Sequence, residues 1–125
     1  MILGGVQDNG VVRFGGTTNW YRSASGDGMM CFINPLNNNS VIACNQYLEI
    51  SKSYSRGDQN TWTVVHERSS STVTNFVAPL ASCPSDTSVF YGGKKFIVKS
   101  TDGGTNWFNA STDLDGNKIL SIAVS

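Results

Sequence analysis

Trp20, Trp62 and Trp107 are the only tryptophans in the 125-residue chain, and each stands at the same place in a recurring pattern. The run Asn39-Ser40-Val41-Ile42-Ala43-Cys44, then Leu48 to Ser53, then Thr61-Trp62-Thr63-Val64-Val65, returns as Thr87-Ser88-Val89-Phe90-Tyr91-Gly92, Phe96 to Ser100 and Asn106-Trp107-Phe108. A weaker copy precedes both: Ile2-Leu3-Gly4-Gly5, Val11-Val12-Arg13-Phe14 and Asn19-Trp20-Tyr21-Arg22. Matched letter by letter, Val41 falls on Val89 and Ile42 on Phe90, and each tryptophan opens the last strand of its unit. A fixed internal period is the mark of a repeat architecture, in which each unit is one supersecondary element.

Between these units lie further β-like runs, Gly28 to Asn34, Val73 to Pro79 and Lys118 to Ser125, rich in β-branched or large apolar residues. Calling these runs A and the three strands of each unit B, C and D, the order is B-C-D, A-B-C-D, A-B-C-D, A. The chain then divides into four-stranded units at residues 1–27, 28–72 and 73–117, with 118–125 as an inner strand that completes a unit. About 42 residues per unit is the size of one β-propeller blade. No window shows a helical period, and Gly, Asn, Ser and Thr crowd the gaps between apolar runs, so the predicted class is all-β.

Composition removes several functions. Nine Lys and Arg balance nine Asp and Glu without a run of one sign, which disfavours a nucleic-acid binder. No apolar run approaches the ~20 residues of a membrane helix. Met1-Ile2-Leu3-Gly4-Gly5 has neither a basic n-region nor an h-region, so no secretory signal is read there; the chain stays inside the cell or is a piece of something larger. Cys31, Cys44 and Cys83 lack the paired spacing of a zinc site and are expected as free buried thiols, with a Cys31–Cys44 disulfide across the Pro35–Ser40 turn as the alternative. No motif implies a cofactor.

Ser100-Thr101-Asp102-Gly103-Gly104-Thr105-Asn106-Trp107 fits the pattern S-x-D-x-G-x-x-W. Ser and Asp oxygens in such a turn bond backbone groups of a tight hairpin, and Gly supplies positive φ. This resembles the Asp-box of BNR repeats in the β-propellers of sialidases, sortilin-like receptors and xyloglucanase-like glycoside hydrolases. In the second unit Ser53, Ser55 and Gly57 hold comparable places, but Trp62 comes two residues late and the Asp is missing; in the first, Phe14 to Trp20 keeps the turn and the Trp. Gly5-Val6-Gln7-Asp8-Asn9-Gly10, then Gly26-Asp27-Gly28 and Ile33-Asn34-Pro35, is similar to a run in the sortilin-like and xyloglucanase-like propellers, with Asn34 in place of an Asp.

The resemblance implies that Ser100, Asp102, Gly104 and Trp107 are fold residues on the face away from any ligand. It implies that the B–C and D–A turns emerge on the opposite face near the central axis, where a ligand would meet Gln7, Asp8, Asn9, Asp27, Asn45 and Gln46. The expected function is a non-catalytic recognition module for carbohydrate or protein. The alternatives are a xyloglucanase-like hydrolase using Asp8 and Asp27 as its carboxylate pair, or a fragment without independent function. Against both stands the plainer role of Asp8, Asn9 and Asp27 as Asx residues bonding their own turns. The resembled families are mostly exported.

Other residues carry less. Asp113-Leu114-Asp115-Gly116-Asn117 opens like a calcium loop but is a residue short, with no Glu at the twelfth position, and is expected as a turn. His66, the only histidine, is expected in a solvated loop, and Tyr47, Tyr54 and Tyr91 at blade edges or in the core. Arg13, Arg22, Arg56 and Arg68 do not form the sialidase arginine set. Three blades fall below the 4–8 of closed propellers, so two copies are expected to close a six-bladed homodimeric ring, each Lys118–Ser125 strand completing the partner's first blade.

Overall fold

The computed structural model describes residues 1–125, which fold as eleven strands and one short 3-10 turn, Gln46–Leu48. The strands are β1 (Leu3–Val6), β2 (Gly10–Phe14), β3 (Trp20–Ala24), β4 (Cys31–Ile33), β5 (Val41–Asn45), β6 (Glu49–Ser53), β7 (Thr63–His66), β8 (Leu80–Ser82), β9 (Phe90–Gly93), β10 (Ile97–Ser100) and β11 (Phe108–Asn109). They make three antiparallel meanders, in the orders β1-β2-β3, β4-β5-β6-β7 and β8-β9-β10-β11. The all-β class therefore holds, and no helix is long and apolar enough to cross a membrane.

Turn chemistry sets the strand ends. Asp8 and Gly10 both take positive φ, which closes the β1–β2 hairpin with the Asn9 N–H on the Val6 carbonyl. The run expected as a strand at Val73–Pro79 is not one, and the third sheet starts later, at Leu80. Ser70 O accepts both the Val73 and Thr74 N–H groups in a turn, Lys95 N–H takes the Val73 carbonyl, and Pro79 has no N–H to give a ladder. Lys118–Ser125 also joins no sheet of the single chain. It is pinned by the Ile119 N–H on Lys94 O and by Asn75 Nδ2 on Ile119 O, and Ile122 to Val124 line an open groove with Tyr91, Ile97 and Ala110.

Register corrects the letter-by-letter match of the repeat. Val41 pairs with Ser53 and Phe90 with Ser100, so Val41 corresponds to Phe90 and Ile42 to Tyr91, one residue further along. Side chains alternate across a strand, and the core follows from that alternation. Ile42, Cys44 and Ile50 of the second sheet meet Leu80, Phe90 and Val98 of the third, with Leu48 and Ala78, in one buried cluster. Phe32 and Phe90 pack edge to face across it with centroids 5.6 Å apart.

Polar bonds also cross between sheets. Arg13 of β2 pairs with Asp58, in the turn after β6. Lys52 of β6, 4% exposed, donates to Gly103 O at 2.6 Å and Thr105 Oγ1 at 3.0 Å, in the turn after β10. Burying a lysine is favourable only when its charge is bonded in this way.

Candidate functional site

Three loops carry the expected ligand residues, and the structure brings them together. The Asp8 N–H donates to Asp27 Oδ1 at 2.8 Å, and the Asp27 N–H donates to Gln46 Oε1 at 3.2 Å. Asn45 Nδ2 donates to Ser25 O at 3.3 Å and Glu49 Oε1 at 3.1 Å. The β1–β2 hairpin, the Gly26–Asp27 turn and the end of β5 are thus tied into one edge of the molecule. Gln7, Asp8 and Asn9 are exposed there, Asp27 and Gln46 half-buried and Asn45 buried. Asn45 Oδ1 is buried and accepts no hydrogen bond, so a buried amide oxygen at this edge keeps its acceptor capacity.

Within this cluster the Asp27 carboxylate bonds the Asp8 backbone of another loop, nineteen residues away, rather than its own turn. The Asp8 N–H, not its carboxylate, faces Asp27. The arrangement ties the loops together.

Sequence reasoning passed over Leu48 and Glu49 and did not place Tyr47 beside this cluster. Tyr47 and Leu48 both hold positive φ, conformations that cost a side-chain-bearing residue about 1 kcal/mol or more. Tyr47 stays there because its N–H bonds Phe76 O, its carbonyl accepts from Ser69, and its ring packs edge to face on Phe76. Glu49 joins the cluster by accepting from both Asn45 and Arg68. No letter in Tyr47-Leu48 signals a left-handed backbone. A separate open groove of about 600 Å³ lies between β3 and the turn after β6, lined by Arg22, Ser23, Ser25, Gln59, Asn60 and Trp62. It meets the loop cluster only at Ser25.

The turn from Ser100 to Trp107 is locally self-satisfied. Ser100 Oγ accepts from Gly104 N–H at 2.9 Å, Asp102 Oδ1 accepts from Thr105 and Asn106 N–H groups, and Trp107 Nε1 donates to Gly104 O at 3.0 Å. The Asn106 amides are the main reason that the Asp102 carboxyl is held down to about 2. Asp113 Oδ1 accepts from the Gly116 N–H and Leu114 O from the Asn117 N–H, a simple turn. No three His, Cys, Asp or Glu side chains cluster as metal ligands would.

His66 is not in a solvated loop. It ends β7, half-buried, and its Nδ1 donates to Leu48 O at 2.8 Å while its ring packs edge-on to Trp107. The ring it packs on, Trp107, comes from the third unit, which no local sequence pattern reveals. All three cysteines are free. Burial pushes the Cys31 thiol up to about 11 and the Cys44 thiol up to about 12, so both stay protonated and unreactive. Only Cys44 is fully buried, Cys31 and Cys83 being half-buried, and the Cys83 thiol is lowered by its bond with Ser85.

No protein-family model matches this sequence, and no curated protein matches it.

Proposed function

We propose that the chain is a non-catalytic recognition module of the Asp-box β-propeller kind, binding a glycan or polypeptide through the loop edge of Gln7, Asp8, Asn9, Asp27, Asn45 and Gln46. The observation that carries this is the bond chain from Asp8 through Asp27 to Gln46, which fixes three loops while leaving Gln7, Asp8 and Asn9 exposed. Rigid loops with free amide and carboxylate groups suit a ligand rich in hydroxyls or backbone amides, since little ordering entropy remains to be lost on binding.

The test is a calorimetric titration of the full chain against a panel of β-glucan oligosaccharides and extended peptides. At least one ligand should bind, and Asp27→Ala and Asn45→Ala should each weaken it about tenfold or more, the loss of one or two hydrogen bonds. Binding unchanged in both variants, or lost only on Trp62→Ala in the groove beside β3, would place the site elsewhere. Release of reducing sugar from any glucan, abolished in Asp27→Asn, would overturn the non-catalytic reading.

A further inference from the structure

Two of the three sheets are joined to the next one by the same device, and the third carries that device unused. Each sheet has one row of paired residues on the face turned toward its successor: Leu3–Arg13–Tyr21, then Phe32–Ile42–Lys52–Thr63, then Ala81–Tyr91–Lys99–Phe108. In the first row Arg13 pairs with Asp58 of the following turn, and the glycine of that turn, Gly57, sits against Leu3. In the second, Lys52 grips Gly103 O and Thr105 Oγ1, and the glycine of that turn, Gly104, sits against Ile42. In the third, Lys99 donates no hydrogen bond to any group of the chain; its Nζ lies over Tyr91 of its own row, 5.2 Å from the ring centroid, and Phe108 beside it is 50% exposed.

The opposite end of the molecule is complementary. The turn after β2 reads Gly15-Gly16-Thr17, the same triplet as the Gly103-Gly104-Thr105 that Lys52 grips, and it is exposed throughout. A Cβ added at Gly16 would meet nothing, whereas one at Gly104 would collide with Ile42. Ile2 and Trp20 beside this turn are 51% and 49% exposed, with Trp20 packed on Phe14. A free cation in an aromatic row at one end therefore faces, at the other, a free acceptor turn flanked by apolar side chains.

We propose that the Tyr91–Lys99–Phe108 face receives the Gly15–Trp20 turn of a second copy of this chain, head to tail. Lys99 Nζ donates to the Gly15 carbonyl and Thr17 Oγ1 as Lys52 does to Gly103 and Thr105, and Tyr91 takes the place of Ile42 against Gly16. Such a contact is heterologous: it closes a ring if the rotation permits and otherwise extends. Where two copies close the ring, it holds six sheets. This inference stands on the junctions alone and does not depend on the loop cluster binding a ligand.

The test is the mass of the full chain by light scattering, with far-ultraviolet circular dichroism to show that each variant keeps the wild-type fold. Wild type should be at least twice 13.5 kDa. Lys99→Glu and Trp20→Asp should each halve that mass or more, and Lys99→Arg should retain it. Mixing Lys99→Glu with Trp20→Asp should restore a particle of two chains, because each variant supplies the end that the other lacks. A wild-type chain of single mass at every concentration would overturn the proposal. So would a Lys99→Glu chain that assembles like wild type, or a mixture that stays at single mass.

Discussion

In the turn after β10, Ser100 and Asp102 between them satisfy the backbone, and the Trp107 indole bonds the turn's own Gly104. In the turn after β6, Ser53 works without a carboxylate, accepting from the Ser55 and Gly57 N–H groups and pairing with Thr61. That turn is two residues longer; Trp62 still packs on the turn's own Gly57, but its indole N–H donates to Ser23 of β3 rather than to the glycine carbonyl, and the Ser23 hydroxyl in turn donates to Gly57 O. Arg13 and the Arg22 carbonyl hold the same loop through Asp58 and Gln59. The indole bond that is local in one turn is made to a neighbouring sheet in the other. The third turn closes its own indole and carboxylate bonds and takes Lys52 from the second sheet in addition, whereas the second turn depends on the first sheet for the partner of its indole.

The largest effect should come from crowding a glycine that a neighbouring sheet covers. Gly104→Ala places a side chain at positive φ and into Ile42, and should lose about 3 kcal/mol or more in denaturant midpoint. Gly16→Ala, also at positive φ but in open space within one chain, should cost only about 1 kcal/mol when both variants are made in the Lys99→Glu chain, whose Gly16 no second copy covers. Equal losses at the two sites would show that conformation, not coverage, decides. Next comes Ser23→Ala, which strips a partner from both Gly57 O and Trp62 Nε1 and should cost about 2–3 kcal/mol. Hydrogen exchange should then open the 53–62 turn while leaving 100–107 protected. If both turns open together, the second turn does not lean on the first sheet as its bonds imply.

That asymmetry also marks what the sequence discloses. Period-2 runs and the three tryptophans locate the sheets, because each strand buries one face and each turn needs Gly, Asn or Ser. The contact of Asp8, Asp27 and Gln46 could be anticipated from loop position. Three features could not. The third sheet begins at Leu80 because Ser70, Lys95 and Pro79 use up the Val73–Pro79 backbone, and two of these lie outside that run. The register differs from the letter match by one residue because Ser53 and Ser100, not the apolar letters, mark equivalent places. His66 is buried by Trp107 of another sheet. Each depends on a long-range partner, and period and composition are silent about partners.

A smaller effect separates the turns by charge. Asp102→Asn keeps the shape but weakens the acceptor for the Thr105 and Asn106 N–H groups, and should cost about 1 kcal/mol. Ser55 occupies the matching place in the second turn, two residues after Ser53, and Ser55→Ala should be nearly neutral because its side chain holds no bond there. A Ser55→Ala loss as large as that of Asp102→Asn would mean that the second turn conceals a side-chain role its hydrogen bonds do not show.

The smallest effects are steps in stability with pH, and they test the junction and the turn separately. His66 is held below its ordinary 6.5, first by burial and then by the Lys94 charge. The unfolded chain therefore takes up that proton before the folded one, so stability should begin to fall as pH drops below about 6.5. Asp102 has the other origin: its folded value is about 2, while an unfolded aspartate protonates near 3.9. Its contribution is fully present above about pH 4 and is lost as pH falls toward 2, a modest step because the carboxylate is solvent-screened. Denaturant midpoints measured from pH 8 to 2 should show His66→Gln flattening the upper decline and Asp102→Asn the lower. Because His66 packs on Trp107 across two sheets, the upper step reports their junction; because Asp102 bonds only its own turn, the lower step reports that turn alone. If His66→Gln removed the lower step as well, the two would be one coupled unit, and the third turn would lean on its neighbour as the second does.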